Sequence, residues 1–471
     1  VISSIFPLDV FGEREALIDG DSGRRINYRE CSEIQEEFAK VFPREKSLIF
    51  LFSQNRIEEV LAYLSLINLG HAICLLDARL DFELKLHLVQ LYCPRFIVES
   101  TKEKWDEYAL SNSPLQTISI SQIKQSSQLS TLDSELSLLL STSGTTGSPK
   151  MIRLSAANML SNAQAIASYL NIGPKEKAIA SLPIHYSYGL SILHSHLTAG
   201  AALILTQKSL LQTQFWNIMQ RNNCTSFAGV PYSYAVLEKI GFDVHRYPSL
   251  MTMTQAGGRL DPKSIEKFSV AMKSKGGKFF VMYGQTEATA RIAYLPPEFL
   301  PAKSSAIGIA IPNGKLKIYL DDKEIFTPHT RGEIVYEGPN VMLGYAEKPE
   351  DLSAGDKLHG ILHTGDLGYF DEECIFYVTG RVKRISKVYG FRVNLDEVEA
   401  MARPYAPIAA VSDDVNIYLY AETNAQDVQE ACITYLAHAL NLHFTTFVWR
   451  TVKTLPRTSS GKIDYKSFGS I

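Results

Sequence analysis

Residues Ser141 to Lys150 read STSGTTGSPK, a run of hydroxyl residues with two glycines and a closing lysine, behind the apolar stretch Leu138-Leu139-Leu140. Glycine lets backbone N–H groups turn toward one ligand, hydroxyls add short donors, and lysine adds a mobile point charge. Together they suit a polyphosphate. The spacing is not that of the P-loop NTPases, because the lysine follows Pro149 and no Ser or Thr follows it. Gly461-Lys462 fails the same test, since Ile463 comes next. A solvated Ser/Gly/Thr turn has the same composition, so this loop alone leaves both readings open.

Other residues with chemical potential lie far apart in the chain. Tyr283-Gly284-Gln285-Thr286-Glu287-Ala288-Thr289 follows an apolar run at 278–282. The carboxyl end of a strand is where open α/β sheets bind ligands, although a lone glutamate also suits a surface turn. His363-Thr364-Gly365-Asp366-Leu367-Gly368 is a tight turn with one acid, which could grip ribose hydroxyls or cap the turn. Gly380-Arg381 with Lys383, Arg384 and Lys387 is a basic run, of the kind that usually forms a solvated face. Leu455 to Lys462, LPRTSSGK, is a Ser/Thr/Gly loop ending in lysine.

The elements that must position these residues follow from periodicity. A strand at 47–52, a helix at 56–69, a strand at 72–76, a helix at 82–92 and a strand at 95–98 alternate, as in a doubly wound parallel sheet. The apolar stretch from Val60 to Leu76 holds Asn68, Gly70 and His71, and reads as helix, turn and buried strand rather than a membrane span. Residues 100–134 read as a polar surface excursion with one helix near Lys104 to Leu110. A helix at 158–170 and short strands at 178–182, 201–205, 226–230, 251–254 and 278–282 continue the alternation. From about 307 to 380 strands and Gly/Pro turns dominate, and 384–471 reads as a small α/β unit. The 471 residues, 45% hydrophobic and 21% charged, suit a large and a small globular domain. A formal net charge of −3 gives no reason to expect nucleic acid or an anionic membrane as partner. Six scattered cysteines, with no CxxC or Cys/His cluster and no signal-peptide pattern, point to reduced thiols in a cytoplasmic protein.

In this order the pieces resemble the adenylate-forming superfamily: acyl- and aryl-CoA synthetases, the adenylation domains of nonribosomal peptide synthesis, and firefly luciferase. The motifs STSGTTGSPK, HYSYGL, YGQTEAT, GEIVYEGPNVMLGY, HTGDLGYF with YVTGR, and LPRTSSGKID appear in sequence between about Ile26 and Phe468. The resemblance implies an α/β fold. A large N-terminal domain of doubly wound sheets (1–382) would include a β-rich subdomain at about 307–380. A small mobile C-terminal α/β domain (383–471) would hinge at Lys383. It also implies a two-step reaction. A carboxylate attacks the α-phosphorus of ATP to give an acyl-AMP and pyrophosphate, and a thiol of CoA or of a phosphopantetheinyl carrier protein then displaces AMP.

By resemblance, Thr142, Ser143, Gly144, Thr145, Thr146, Gly147 and Lys150 cover the β- and γ-phosphates. Thr286 touches the α-phosphate and Glu287 holds Mg²⁺, an ion that prefers oxygen ligands and keeps several waters. Ala256, Gly257, Gly258 and Tyr283 flank adenine, Asp366 accepts the ribose hydroxyls, and Tyr377 and Arg381 lie near the nucleoside. Lys462 bridges carboxylate and α-phosphate. The face containing Lys387 and Gly390 replaces it for thiol transfer. The acid pocket is expected from His185, Tyr186, Tyr188, Gly229, Val230, Gly284, Ala288 and Ile292, with His185 either a pocket wall or a packing histidine.

Departures bear on the acid. Amino-acid adenylation domains carry an aspartate where Pro183 to Leu190 has no acid, and a buried ammonium without a counter-charge is costly. The usual His-Arg pair is Ala156-Ala157 here, and the customary GKIDR ending reads GKIDY. The expected activity is therefore a stand-alone ligase for an acyl or aryl acid, with an acyl or peptidyl carrier protein as possible partner. A stand-alone amino-acid-adenylating enzyme is the alternative within the class, and a catalytically degenerate nucleotide-binding protein the alternative outside it.

Overall fold

The computed structural model describes residues 5–100, 105, 108–124, 131–141, 150–388, 391–413, 415–440, 442–458 and 462–468. Its contacts divide the chain into two compact units. The first comprises 1–304, 308–315 and 337–362, and the second 305–307, 316–336 and 363–471.

The first unit is built on two large sheets. One runs, in spatial order, Gly344–Ala346, Met151–Ser155, Leu136–Ser141, Ala72–Asp77, Leu48–Ser53, Phe96–Glu99, Ser119–Ile123 and Tyr108–Ser111. Its four central strands are parallel and its flanks antiparallel. Leu48–Ser53, reading LIFLFS, is buried at every position, as expected of a parallel strand covered on both faces. The other sheet has nine strands. A parallel run ends in Ser226–Gly229, Thr252–Gln255 and Lys278–Tyr283, and is closed by antiparallel Ala293–Leu295. Helices start where the sequence supplies caps. Asn27 and Glu30 form a reciprocal capping box on Tyr28–Val41, and Ser155 and Asn158 do the same on Ala156–Leu170.

One expectation fails. Tyr108–Ser111 is a strand, not the end of a helix at 104–110, and it pairs with Ser119–Ile123, which pairs in turn with Phe96–Glu99. Pairing at the sheet edge decides these short polar segments, which carry little local preference of their own. Residues 101–104 and 106–107 of that expected helix lie outside the described residues.

The second unit holds a five-stranded sheet, in order Lys323–Ile325, Lys315–Leu320, Gly332–Glu337, Ile361–Phe370 and Phe376–Arg381. It continues into the hairpin Ile385–Val388 with Phe391–Asn394, and a three-stranded sheet of Ile408–Ser412, Ile417–Ala421 and Phe447–Thr451. Helices Leu395–Ala402 and Gln426–Leu440 contribute Val398, Cys432 and Leu436 to the core of that small α/β region.

Candidate active site

The parallel run of the nine-stranded sheet ends at Tyr283, and the chain then doubles back in nine residues. Gly284 permits the turn, since a Cβ there would lie 1.9 Å from the Ala290 carbonyl oxygen. A single 3-10 turn, Thr286–Ala288, is followed by Thr289 at φ 53° and Ala290 at φ 95°, and Ala293–Leu295 then returns antiparallel. Asn340 clamps the loop. Its side-chain amide donates to the carbonyls of Ala288 (2.7 Å) and Arg291 (2.9 Å), and its own carbonyl accepts from the Thr289 hydroxyl at 2.7 Å.

Thr286 and Glu287 therefore sit on a rigid loop at the carboxyl end of the sheet. The Thr286 hydroxyl is 3.0 Å from that of Ser187, at the start of helix Ser187–Thr198. Glu287 Oε1 accepts from the Tyr345 hydroxyl at 3.0 Å. Burial and the Glu287 charge push the Tyr345 phenol well above its ordinary range, so it stays a proton donor. Lys150 Nζ lies 3.6 Å from the centroid of the same tyrosine ring and 3.0 Å from Glu347. Carboxylate and ammonium thus both contact one tyrosine, at its hydroxyl and at its ring. Its backbone support is the pairing of Gly344–Ala346 with Met151–Ser155, which sets Tyr345 opposite Ile152. Arg153, fully buried, holds the same segment. Its guanidinium donates to the carbonyls of Tyr345 (3.2 Å), Leu343 (3.1 Å), Gly355 (3.1 Å) and Ala354.

The residues expected around the acid fall into two groups. Tyr186, Val230 and Gly257 converge: a Cβ on Gly257, which has φ 83°, would lie 2.6 Å from the Tyr186 hydroxyl and 3.1 Å from Val230 Cγ1. Gly229, Ala256 and Gly258 adjoin them. Gly258 packs on Pro231, and its carbonyl accepts from Gln255 Nε2 at 2.6 Å. Tyr188, Ala288 and Ile292 are buried, and the Tyr188 hydroxyl is engaged by Thr254 at 2.8 Å. His185 is half-buried, with Nε2 3.5 Å from Asp77 Oδ2 at the end of Ala72–Asp77. Burial pushes the imidazole down, and Asp77 only partly opposes it. Burial would raise Asp77, but hydrogen bonds from the Arg79 side chain and backbone, with the nearby His185, hold it below the usual carboxylate range. Asn55 ties the segment to the other sheet, accepting from Ile184 N at 3.0 Å and donating to the Leu182 carbonyl at 3.0 Å.

In the second unit Asp366 and Arg381 are cross-strand partners, with Arg381 Nε 3.0 Å from Asp366 Oδ1. The aspartate is buried while the arginine is mostly exposed. Tyr377 stacks on Tyr369 at 5.0 Å, and its hydroxyl donates to Asp371 at 3.0 Å. Lys462 is exposed, and its carbonyl accepts from Thr458 N at 2.8 Å. Lys383 falls in the single turn Val382–Arg384 and Lys387 in Ile385–Val388. The side chains of Lys383 and Lys387, together with Thr142, Ser143, Gly144, Thr145, Thr146, Gly147 and Gly390, lie outside the described residues.

Among the described residues no cluster of three or more His, Cys, Asp or Glu could cage a metal. Glu287 nevertheless fits Mg²⁺. It offers one hard oxygen donor set, oriented by Tyr345, to an ion that takes its other oxygens from phosphates and water. Sequence reasoning passed over Tyr345, Ser187, Asp77 and Arg291. Only Arg291 left a signal, the one charge in the mostly apolar run from Ala288 to Leu295.

Residues 8–346, well over half the chain, match the family described as AMP-binding enzyme. Among curated proteins, the chain is 30% identical over 350 residues to oxalate–CoA ligase of Arabidopsis thaliana, covering 69% of this chain and 65% of that protein. The chain thus spans a little under two thirds of that relative's length. It is 26% identical over 479 residues to 2-succinylbenzoate–CoA ligase of Bacillus pumilus, covering 96% and 94%. Of solved structures, o-succinylbenzoate CoA synthetase from Bacillus subtilis with its acyl-adenylate intermediate matches at TM-score 0.77 and 23% identity, over 98% and 96% of the two chains. ATP-bound MatB from Rhodopseudomonas palustris matches at TM-score 0.78 and 19% identity, over 99% and 98%. At such identities the structural likeness speaks for the fold, an α/β architecture with a large N-terminal and a smaller C-terminal region. With the match across residues 8–346, this chain belongs to the AMP-binding enzyme family, within the adenylate-forming superfamily.

Proposed function

We propose that the protein is an ATP-dependent acid–thiol ligase that forms AMP. The observation that carries this is the clustering of Lys150, Tyr345 and Glu287, next in sequence to Thr286, at the carboxyl end of the sheet. A carboxylate and a polyphosphate repel each other, so the protein must supply positive charge and fixed geometry where charge develops. In this reading Lys150 neutralises the outer phosphates and Thr286 donates to the α-phosphate. Glu287, oriented by the Tyr345 hydroxyl, would hold Mg²⁺, which would neutralise phosphate charge when bound. An oxygen of the acid attacks the α-phosphorus, the bond to the bridging oxygen breaks, and pyrophosphate leaves. A thiol then attacks the acyl carbon and AMP departs.

Asp366 receives the ribose hydroxyls. Lys462 bridges acid and α-phosphate in the first step, and a pivot at Lys383 exchanges it for the face from Lys387 to Arg392 in the second. The acceptor is CoA, with the same pantetheine thiol on a carrier protein as the variant form. The relatives are named for oxalate, 2-succinylbenzoate, 4-coumarate and long-chain fatty acids, so likeness selects no single acid.

Acid-dependent pyrophosphate release with ATP, Mg²⁺ and hydroxylamine as surrogate acceptor tests the reading across aryl, fatty, hydroxy, dicarboxylic and amino acids. Release with at least one non-amino acid is expected. Release with amino acids alone would move the protein to the carrier-loading class. Lys462→Ala should lower acyl-AMP formation about 1000-fold, roughly 4 kcal/mol, while sparing thiol transfer from supplied acyl-AMP. Equal loss of both steps would remove Lys462 from its role.

A further inference from the structure

Arg291 is 2% exposed and pairs with no carboxylate among the described residues. Its guanidinium carbon lies 4.0 Å from the centroid of the Tyr188 ring. One terminal nitrogen donates to the Ala290 carbonyl at 3.3 Å, a long bond, and the Tyr169 hydroxyl is also within reach. Nε is buried without a hydrogen-bond partner among the described residues. Leaving a buried guanidinium without a counter-charge costs several kcal/mol, far more than a methionine or leucine of similar volume would. A fold does not need that charge at this place. The residue also lines a buried cavity behind Tyr188, between helices Ala156–Leu170 and Ser187–Thr198 and the nine-stranded sheet. The one carboxylate in the lining, Glu176, accepts from the Thr225 hydroxyl and makes no ion pair with Arg291.

Position sharpens the point. Arg291 lies five residues beyond Thr286 on the doubled-back loop. The two positive-φ residues before it, Thr289 and Ala290, are strained for side chains other than glycine. Gly284, at the expected acid pocket, is packed so closely that a Cβ there would lie 2.9 Å from Arg291 Cα. The tight return sets this cation against the Tyr188 ring, whose other neighbour is Tyr186 of the expected acid pocket, 6.4 Å between centroids. The Tyr169 hydroxyl beside it donates, among the described residues, to the Met282 sulfur, a weak acceptor at 3.0 Å, and is a second donor for an anion.

Resting on the ligase reading above, we infer that Arg291 receives a second carboxylate of the acid, so that the protein activates one carboxyl group of a dicarboxylic acid. The far carboxylate supplies the missing counter-charge, and the near one faces Thr286. The same cation repels an α-ammonium group, which disfavours amino acids independently of the missing aspartate at 183–190.

The test compares dicarboxylic acids of graded length with their monomethyl esters, which keep the shape and lose one charge, in the pyrophosphate-release assay. At least one diacid should exceed its ester by about 100-fold in kcat/KM, because a site built for a polar group is left unpaired by an analogue lacking it. In Arg291→Gln that diacid should fall about 100-fold while its ester changes less than about threefold, and Arg291→Lys should recover part of the loss. If the wild-type protein uses esters and simple monocarboxylic acids as well as diacids, the inference is overturned and the ligase reading stands. If no acid of any class releases pyrophosphate, the ligase reading falls and the inference with it. The ester comparison uses the wild-type protein, so the outcome does not depend on how the variants fold.

Discussion

Two arginines of the first unit, Arg153 and Arg291, are both buried and both lack a carboxylate partner among the described residues, yet their surroundings differ. Arg153 is held by four backbone carbonyls from two turns of chain, and every nitrogen donates. Arg291 has one long carbonyl bond, a tyrosine ring below it and an orphaned Nε. The first is a structural rivet, its hydrogen-bonding capacity spent on the chain itself. The second keeps donors in reserve beside a cavity. Burial of a charge therefore does not reveal its purpose; the count of satisfied donors does.

Breaking the contrast begins with the largest effect. Arg153→Ala strands four carbonyls and should destabilise the protein by about 3–5 kcal/mol, read by chemical denaturation. A loss below about 1 kcal/mol would show that the carbonyls find other donors and that Arg153 is no rivet.

A second experiment uses a neutral neighbour of Arg291 in the same cavity. His196 is fully enclosed and pushed down to about 4 by burial, while its Nδ1 hydrogen bond to the Ile192 carbonyl opposes the shift. The unfolded chain takes up a proton near the ordinary pKa of about 6.5, and the fold does not until about 4. Stability supplied by the neutral ring is therefore complete above pH 6.5 and falls as pH drops toward 4. His196→Gln should flatten this decline by one proton, about 1.4 kcal/mol per pH unit. An unchanged slope would mean that the ring protonates in place, and that the cavity tolerates a second cation.

The smallest effect is the sharpest. Arg291→Met removes an uncompensated charge and should change stability by less than about 1 kcal/mol, or raise it. A loss like that of Arg153→Ala would place both arginines in the same structural class.

Much of the architecture was legible because parallel strands buried on two faces write themselves as apolar runs, and Leu48–Ser53 and Lys278–Tyr283 fall within a residue of their expected bounds. Thr286 and Glu287 could be placed at a strand's carboxyl end for the same reason. Tyr345 could not be assigned its partner, because its bond to Glu287 spans 58 residues and depends on the strand it occupies pairing with Met151–Ser155. Arg291 was missed because its burial comes from the tight return around Gly284, a fact about backbone path rather than residue type. The strand Tyr108–Ser111 was misread because only an edge pairing makes it one.

The pairing of Gly344–Ala346 onto Met151–Ser155 also has a consequence for biosynthesis. The eight-stranded sheet takes its outermost strand from residues made nearly two hundred positions after their neighbour. Until those residues leave the ribosome, Met151–Ser155 presents an open row of backbone donors and acceptors, a template for pairing with another nascent chain. Arg153 has none of its four carbonyls over the same interval, since all of them come from residues 343–355. A chain stopped short of this return leaves an adhesive edge with a buried charge exposed beside it, so the first unit closes late in translation, as a clasp rather than as a growing stack.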